Sequence, residues 1–317
     1  MASLNTNASA MTALQTLAST NKNLATTQNR ISTGFRVSEA ADNAAYWSIA
    51  TTMRSDNQAL STVQDALGLG AGKLDVAYTG MNAAIEVVDE IKAKLVAARG
   101  ASDDDKGKIQ AEITELQNQL KSIGLSAAFS GSNYLAHNDP ANTKIEIVSS
   151  FVRDNSGGVS VGTIDFDVSS SRLFTVDGTS GEPVDFAAVG GLVGSALEDA
   201  NGAALTVSVL NLEVISDAGV AQTAAQIDNL IHGVDSVLKD MTTAASDLGA
   251  AKKRVDMQKD FVSKLQDSID RGVGQLVDAD MNKESARLSA LQVQQQLGIQ
   301  ALSIANSNTQ NILSLFR

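Results

Sequence analysis

Met53, Leu60, Leu67, Leu74, Met81, Val88 and Leu95 stand seven residues apart without interruption. A second row accompanies them: Ile49, Asp56, Val63, Gly70, Ala77, Ala84 and Ile91. Alternating steps of three and four residues put both rows on one stripe of an α-helix. Such a stripe is insoluble alone and must be covered by other helices along its whole length. Proline placement permits that length. The only two prolines, Pro140 and Pro183, lie in the middle of the chain. A proline costs ~3 kcal/mol inside a helix, so two proline-free flanks can each carry helices of unusual length.

The stripe is expected to stop near Gly100. Ser102-Asp103-Asp104-Asp105 then reads as an N-cap with acids in the first turn. A further helix carries Ile109, Ile113, Leu116, Leu120 and Ile123 on one face, with Gly124 as its stop. The same rhythm returns in the far flank through Ile227, Ile231, Val234, Leu238, Met241, Ala245, Leu248, Lys252 and Val255. Val262, Leu265, Ile269, Val273 and Leu276 extend it, with a break expected at Gly272 and Gly274. Between the flanks, residues 138–220 carry 3 bases, 12 acids and 10 of the 24 glycines. There Lys144–Val148 alternates as a strand. Asn155-Ser156-Gly157-Gly158 has turn chemistry. The phase slip between Val159/Val161 and Ile164/Phe166/Val168 predicts a bulge or turn at Gly162-Thr163. Residues 178–204 suggest no regular element. The expected fold is mainly α: a long antiparallel helical bundle or coiled coil, N- and C-terminal helices paired, with a small β-rich middle.

The outermost ends differ from this bundle. Leu17, Leu24 and Ile31 recur at seven, but the adjacent row Leu14, Asn21 and Gln28 is mostly polar, so this helix is marginal alone. The last helix has one row of Leu288, Gln295, Leu302, Thr309 and Phe316, and another of Leu291, Gly298, Ala305 and Ile312. Val293, Leu297, Ile299 and Ile304 fall off that stripe. A helix with apolar residues on more than one side needs two partners. The N-terminal helix supplies one, and other copies of the chain are the simplest source of the second. The ends are slightly basic. Residues 1–40 and 271–317 hold seven bases against four acids, so the net −12 of the chain is a −15 body between +3 ends.

Chemistry is hard to place in this sequence. Without cysteine there is no disulfide, thiolate metal site or thiol nucleophile. Two histidines, His137 and His232, have no ligand spacing. Gly158-Val159-Ser160-Val161-Gly162 matches a nucleophile elbow, but that motif needs a strand-to-helix turn and here strand pattern continues. Gly68-Leu69-Gly70-Ala71-Gly72-Lys73 has leucine where a P-loop requires Gly and Ser/Thr. Asp103–Asp105 reads better as a solvated helix start than as a cation site. We therefore expect no enzyme, no cofactor and no metal. The acidic balance argues against nucleic-acid binding. No run of ~18 apolar residues suggests membrane insertion, and no cleavable secretory signal is visible. Tyr46 and Trp47 are conspicuous because aromatics are only 4% of the chain; they are either core anchors or a subunit contact.

Three blocks near the start and several at the far end carry a resemblance. The first are Ser3-Leu4-Asn5-Thr6-Asn7, Arg30-Ile31-Ser32-Thr33-Gly34-Phe35-Arg36-Val37 and Ala40-Ala41-Asp42-Asn43-Ala44-Ala45. The others are Val277-Asp278-Ala279-Asp280-Met281, Glu284, Gln294-Gln295-Gln296-Leu297-Gly298 and Asn311-Ile312-Leu313-Ser314-Leu315-Phe316-Arg317. Two matching sets, at opposite ends and in order, resemble bacterial flagellin over about residues 1–135 and 222–317. The resemblance implies a subunit of the flagellar filament, serving swimming motility. Its terminal segments would be disordered in the monomer and fold into paired helices on polymerisation, lining the inner tube. It also implies a secreted, extracellular protein that leaves unfolded through an export machine. Its partners would be its own copies in a helical homopolymer, related flagellin subunits, the flagellar export apparatus, an export chaperone, and filament cap and hook-junction proteins.

The implied domains are residues 1–42 and 271–317 for the inner-tube helices, 43–137 and 222–270 for the helical core, and 138–221 for the outer region. Expected assembly contacts are Leu4, Leu14, Leu17, Leu24, Ile31, Arg36, Tyr46, Trp47, Leu288, Leu291, Leu297, Leu302, Ile304, Ile312, Leu315 and Phe316. Two sites depart from the family pattern, at three residues. Tyr46-Trp47 stands where the family usually has Gly-Leu, and Glu90 stands where many members carry an arginine read by animal innate receptors. The rivals are a hook–filament junction protein and a secreted coiled-coil adhesin. The C-terminal Leu-Ser-Leu-Phe-Arg block and short middle favour flagellin over the first, and neither terminal block is required by the second.

Overall fold

The computed structural model describes residues 7–137, 144–154, 156, 158–176, 191–215 and 221–314, with side chains to 307 at the far end. Five long helices dominate: α1 (Ala8–Thr33), α2 (Ala44–Arg99), α3 (Asp103–Ser126), α4 (Ala224–Val277) and α5 (Met281–Ser314). The chain divides into two compact units, one of Met1–Gln58 with Leu265–Arg317 and one of Ala59–Lys264. The mainly helical architecture anticipated from the apolar rows is the one observed.

In the Ala59–Lys264 unit the seven-residue row is the core. Leu60, Leu67, Leu74, Met81, Val88 and Leu95 are all 0–3% exposed. Ile113 and Leu120 of α3 and Ile227, Val234, Met241 and Val255 of α4 are buried with them. Burying one such side chain contributes roughly 1.5–3 kcal/mol, so the register itself holds these helices. Salt bridges reveal the α2–α4 direction. Arg99 meets Asp228 at 2.5 Å, Lys92 meets Asp235 at 2.5 Å, and Asp75 pairs with Lys252. The numbers fall on one helix as they rise on the other, so the pair is antiparallel. Lys252 leaves the buried row that the heptad count gave it; it is half-buried, and Ala251 takes the core position.

Helix ends follow local chemistry with two corrections. Ser102 caps α3, accepting from the Asp105 amide, with Asp103, Asp104 and Asp105 in the first turn. Gly124 does not stop α3, which runs on to Ser126. A Cβ there would lie 2.4 Å from the Phe174 ring, so this glycine serves packing rather than termination. Gly272 and Gly274 do not break α4 either; it continues to Val277. A helical glycine costs only about 1 kcal/mol, which the packing of this turn offsets. The phosphate-loop look-alike lies inside α2, where Gly70 packs directly against Ile147.

A short hairpin of β1 (Ala128–Phe129) and β2 (Ser132–Asn133) follows α3 within the N-terminal flank, and the middle begins with an antiparallel pair of β3 (Lys144–Arg153) and β4 (Val159–Asp167). The register shifts between Val148 and Ser150, opposite Thr163 and Gly162. The predicted slip is therefore real, but the extra residue, Ser149, is on the partner strand. Ser160, the elbow look-alike, sits within β4 with no helix behind it. After β4 come two 3₁₀ turns, at Ser169–Ser171 and Val209–Asn211. Gln117 on α3 donates to the Val209 and Leu212 carbonyls at 2.9 and 3.0 Å, tying the second turn to the helix. Pro140, Pro183 and residues 178–190 lie outside the described residues. No described helix is long and apolar enough to cross a membrane.

Candidate assembly surface

The paired terminal helices belong to the Met1–Gln58/Leu265–Arg317 unit. Asn7 opens α1 by accepting from the Ala10 amide at 3.0 Å. Gly34 closes it at φ +77°, a left-handed conformation suited to glycine, with its N–H on the Arg30 carbonyl at 2.9 Å. The chain then pairs with the segment that leads into α5. Arg36 and Val37 amides donate to the Val277 carbonyl at 2.7 and 3.2 Å, and the Ala279 amide donates to Gly34 at 2.9 Å. Arg36, one of the expected contact residues, also donates its guanidinium to the Leu276 carbonyl at 2.9 Å. A small core of Val37, Ala50, Val273 and Val277, with Phe35, Met53, Ile269 and Leu276 against it, fixes this junction.

From there α1 and α5 run antiparallel. Arg30 meets Glu284 at 3.4 Å, Gln295 donates to Asn21 at 2.8 Å, and Asn7 donates to the Ala305 carbonyl at 2.9 Å. On α5 the covered stripe is Glu284, Leu288, Leu291, Gln295, Gly298, Leu302 and Ala305. As far as Ala305 it follows the two rows read from the sequence, whose later members lie beyond the described side chains. On α1 the covered stripe is Ala10, Ala13, Leu17, Thr20, Leu24, Thr27 and Ile31, with Thr20 and Thr27 fully buried. The polar row Leu14, Asn21 and Gln28 is exposed instead, Leu14 to 59%, although Asn21 still reaches Gln295 from the edge of the pair. The true companion row is small rather than apolar, so hydrophobicity alone could not find it. Small residues let the two backbones come close: a Cβ on Gly298 would sit 3.1 Å from Leu17.

The other side of α5 is bare. Val293, Leu297 and Ile304 are 55%, 57% and 63% exposed. At 100° per residue they fall on one line, about half a turn from the stripe that covers α1. Ile299, 54% exposed, lies to one flank. Met11 at 66% and Leu14 add apolar surface on α1. The described part of this helix pair therefore covers one face of α5 and leaves the opposite face apolar and uncovered.

Other expected contacts fall on the same unit. Tyr46 and Trp47, in the first turn of α2, are 41% and 39% exposed and are not core anchors of the single chain. Their turn is prepared by Asn43, which accepts from the Tyr46 amide at 3.2 Å. Just before it, Asp42 accepts from the Ser38 and Glu39 amides at 3.0 and 3.2 Å, and these donors hold its carboxyl below the usual value. Leu4, Leu315 and Phe316 lie outside the described residues. Ile312 is within α5, but its side chain is outside them. The sequence reading missed the Arg30–Glu284 pair and the small residues of α1. A seven-residue row of Ala13, Thr20 and Thr27 beside Leu17, Leu24 and Ile31 was the available signal.

Features suggestive of chemistry do not converge. His137 is buried near the end of the β1–β2 segment and His232 is exposed on α4. Among the described residues no cluster of His, Asp and Glu could hold a metal ion. Glu90 is exposed on α2 in the Ala59–Lys264 unit.

Comparison with known proteins matches this architecture at both ends. The model of the bacterial flagellin N-terminal helical region matches residues 4–139, and that of the C-terminal helical region matches residues 231–316. Flagellin C of Rhizobium meliloti (strain 1021) is 51% identical over 331 aligned positions, covering all of both chains. A flagellin of Brucella melitensis biotype 1 is 51% identical over 320, and flagellin A of Rhizobium meliloti (strain 1021) is 46% identical over 397, again with full coverage of both. Two family regions, one at each end, together with full-length relatives leave one assignment: the chain belongs to the bacterial flagellin family.

Proposed function

We propose that this chain polymerises by coupled folding of its terminal helices, with the bare face of α5 as the part that only other subunits can cover. As a flagellin it is a structural subunit of the bacterial flagellar filament, which is extracellular, and its copies form the homopolymer. The observation that carries the mechanism is the pair of opposed stripes on α5. One is covered by α1; the other, Val293, Leu297 and Ile304, is more than half exposed. Ordering the ends costs about 1–2 kcal/mol per residue in backbone entropy. In the α1 stripe only Leu17, Leu24 and Ile31 are large and apolar, set among Ala and Thr, so the pair recovers only part of this alone. Neighbours that bury the second face supply the remainder, so assembly is cooperative and limited by nucleation.

In this reading residues 1–42 and 271–317 form the inner-tube layer, 43–137 and 222–270 the helical core, and 138–221 the outer region. Leu4, Leu14, Leu297, Ile304, Ile312, Leu315, Phe316, Tyr46 and Trp47 are contacts between subunits. Leu17, Leu24, Ile31, Leu288, Leu291 and Leu302 close the terminal pair within one subunit, and Arg36 braces its junction. The subunit is secreted unfolded through the export apparatus, held by an export chaperone, and added beneath a cap beyond hook-junction proteins. No catalytic role enters this account. Glu90 reverses the charge expected by a receptor site built for arginine, so purified protein should activate such receptors poorly in reporter cells; a strong response would refute this.

Removing residues 288–317 tests the mechanism. The account predicts a soluble, helical remainder that never forms filaments under conditions in which the whole chain does. Filaments of that truncation under the electron microscope would overturn it.

A further inference from the structure

Two surfaces of the Ala59–Lys264 unit remain unexplained by its own packing. The first is a ridge. Met257 and Phe261 stand one turn apart on α4, 57% and 58% exposed. Lys253 and Lys264, both exposed, extend the same stripe on either side, with Asp260 beside Phe261. The second is a groove between α2 and α3. It encloses about 360 Å³ and is lined by Val76, Thr79, Gly80, Ala83, Ile123 and Ala127, with Asp75 and Ser126 at its margin. Gly80 in this lining is packed against its own chain, where a Cβ would press on Leu135 at 2.7 Å.

The continuation of the groove is acidic. Along α2 the lining stripe passes from Ala83 to Glu86 and Glu90, and on α3 Glu115 precedes it; all three are exposed. Lys94 closes the far end in a 2.5 Å pair with Glu112, which spends that cation. Asp75 is likewise spent on Lys252. The ridge is therefore apolar with lysines at its two ends, and the groove is apolar with carboxylates beyond it.

We propose that the Met257–Phe261 ridge of one subunit seats in the α2–α3 groove of a second copy, with Lys253 or Lys264 against the Glu86/Glu90 carboxylates. This deepens the filament reading above and rests on it. A helical polymer needs a heterologous contact, in which two different patches of the same chain meet and the pairing does not close. Ridge and groove are different patches, complementary in apolarity and charge. Glu90 then serves the polymer as an assembly contact.

The chain has no cysteine, so thiol cross-linking reads this contact directly. Two double variants are made in the full chain, Ala83→Cys with Phe261→Cys and Thr79→Cys with Met257→Cys. Each is polymerised, checked for filaments by electron microscopy and treated with a thiol-specific bis-maleimide. The proposal predicts a ladder of covalent multimers from at least one double variant. It predicts dimers and nothing longer when the two corresponding single variants are mixed, and no products from either single variant alone. Intact filaments that give no ladder from both double variants overturn this contact while leaving the filament function standing. Single-variant dimers would also overturn it, because they mean like patches meet like. Failure of the unaltered chain to form filaments would instead strike the function itself. Independently, Phe261→Lys should raise the monomer concentration needed for assembly about tenfold or more, with the helical circular dichroism of the monomer unchanged. An unchanged assembly threshold contradicts the proposal.

Discussion

Arg30 and Glu284 show how much a single pair can decide. Their side chains are 26% and 9% exposed, and they join α1 to α5 at 3.4 Å. The second carboxylate oxygen of Glu284 and Nε of Arg30 have no hydrogen-bond partner among the described residues. A carboxylate this buried depends on its one cation. Arg30→Ala should destabilise the terminal pair by about 3 kcal/mol, because it strands Glu284. The double variant Arg30→Met/Glu284→Leu should recover most of that. Thermal unfolding of assembled filaments measures both, and equal losses in the single and double variants would contradict the pairing argument. At this scale the sequence was only partly legible. Leu291 and Leu302 announce the α5 stripe by their apolarity. Thr20 and Thr27 are equally committed to the interface, but their side chains read as surface until the partner helix is present. Glu284 likewise reads as a solvated acid, and only its distance to Arg30 reveals it as buried.

Among elements, the long register of α2 was the most readable feature, because burial repeats every second turn with no polar interruption from Leu60 to Leu95. Leu74, fully buried, is central to it. Leu74→Ala should cost about 2–5 kcal/mol, read as a shift in the denaturation midpoint of the monomer; a loss under 1 kcal/mol would mean that the stripe is not the core. Glycines were the least readable. A glycine near the end of an apolar row looks like a stop, yet Gly124, Gly272 and Gly274 all lie within helices, and at Gly124 the ring of Phe174 occupies the missing side chain's place. Charge pairing between α2 and α4 also acts at this level. Asp235 is lowered to about 2, chiefly by its hydrogen bond to Lys239 and then by that to Lys92. Its folded value lies below the unfolded one, so its stabilisation is fully present above the ordinary value of 3.8 and fades as pH falls towards about 2. Asp235→Asn should therefore flatten the acid limb of the stability profile in that window and leave its shape above pH 5 unaltered. An acid limb as steep as that of the parent chain would remove Asp235 from this role.

For the whole molecule, the physical division is between surfaces satisfied within one chain and surfaces that are not. The Ala59–Lys264 unit buries its heptad rows internally. In the other unit, α5 has one stripe against α1 and one that no described residue covers. The net −12 divides the same way: slightly basic ends can gather without strong mutual repulsion while the acidic middle carries the charge. Membership of the family was legible from the two terminal blocks alone. The docking role of particular residues was not, because exposure belongs to the folded chain and not to the sequence. Tyr46 and Trp47 illustrate this: the sequence left core anchoring and subunit contact both open, and only their 41% and 39% exposure speaks against the first.

The most direct test of coupled assembly alters only the uncovered face of α5. Val293→Asp, Leu297→Asp and Ile304→Asp are combined in the full chain, leaving the stripe against α1 intact. Sedimentation of seeded assembly reactions, with electron microscopy of the pellets, gives the answer. The account predicts a protein that stays in the supernatant at concentrations where the parent chain forms filaments. Filaments of the triple variant in parental yield would contradict it.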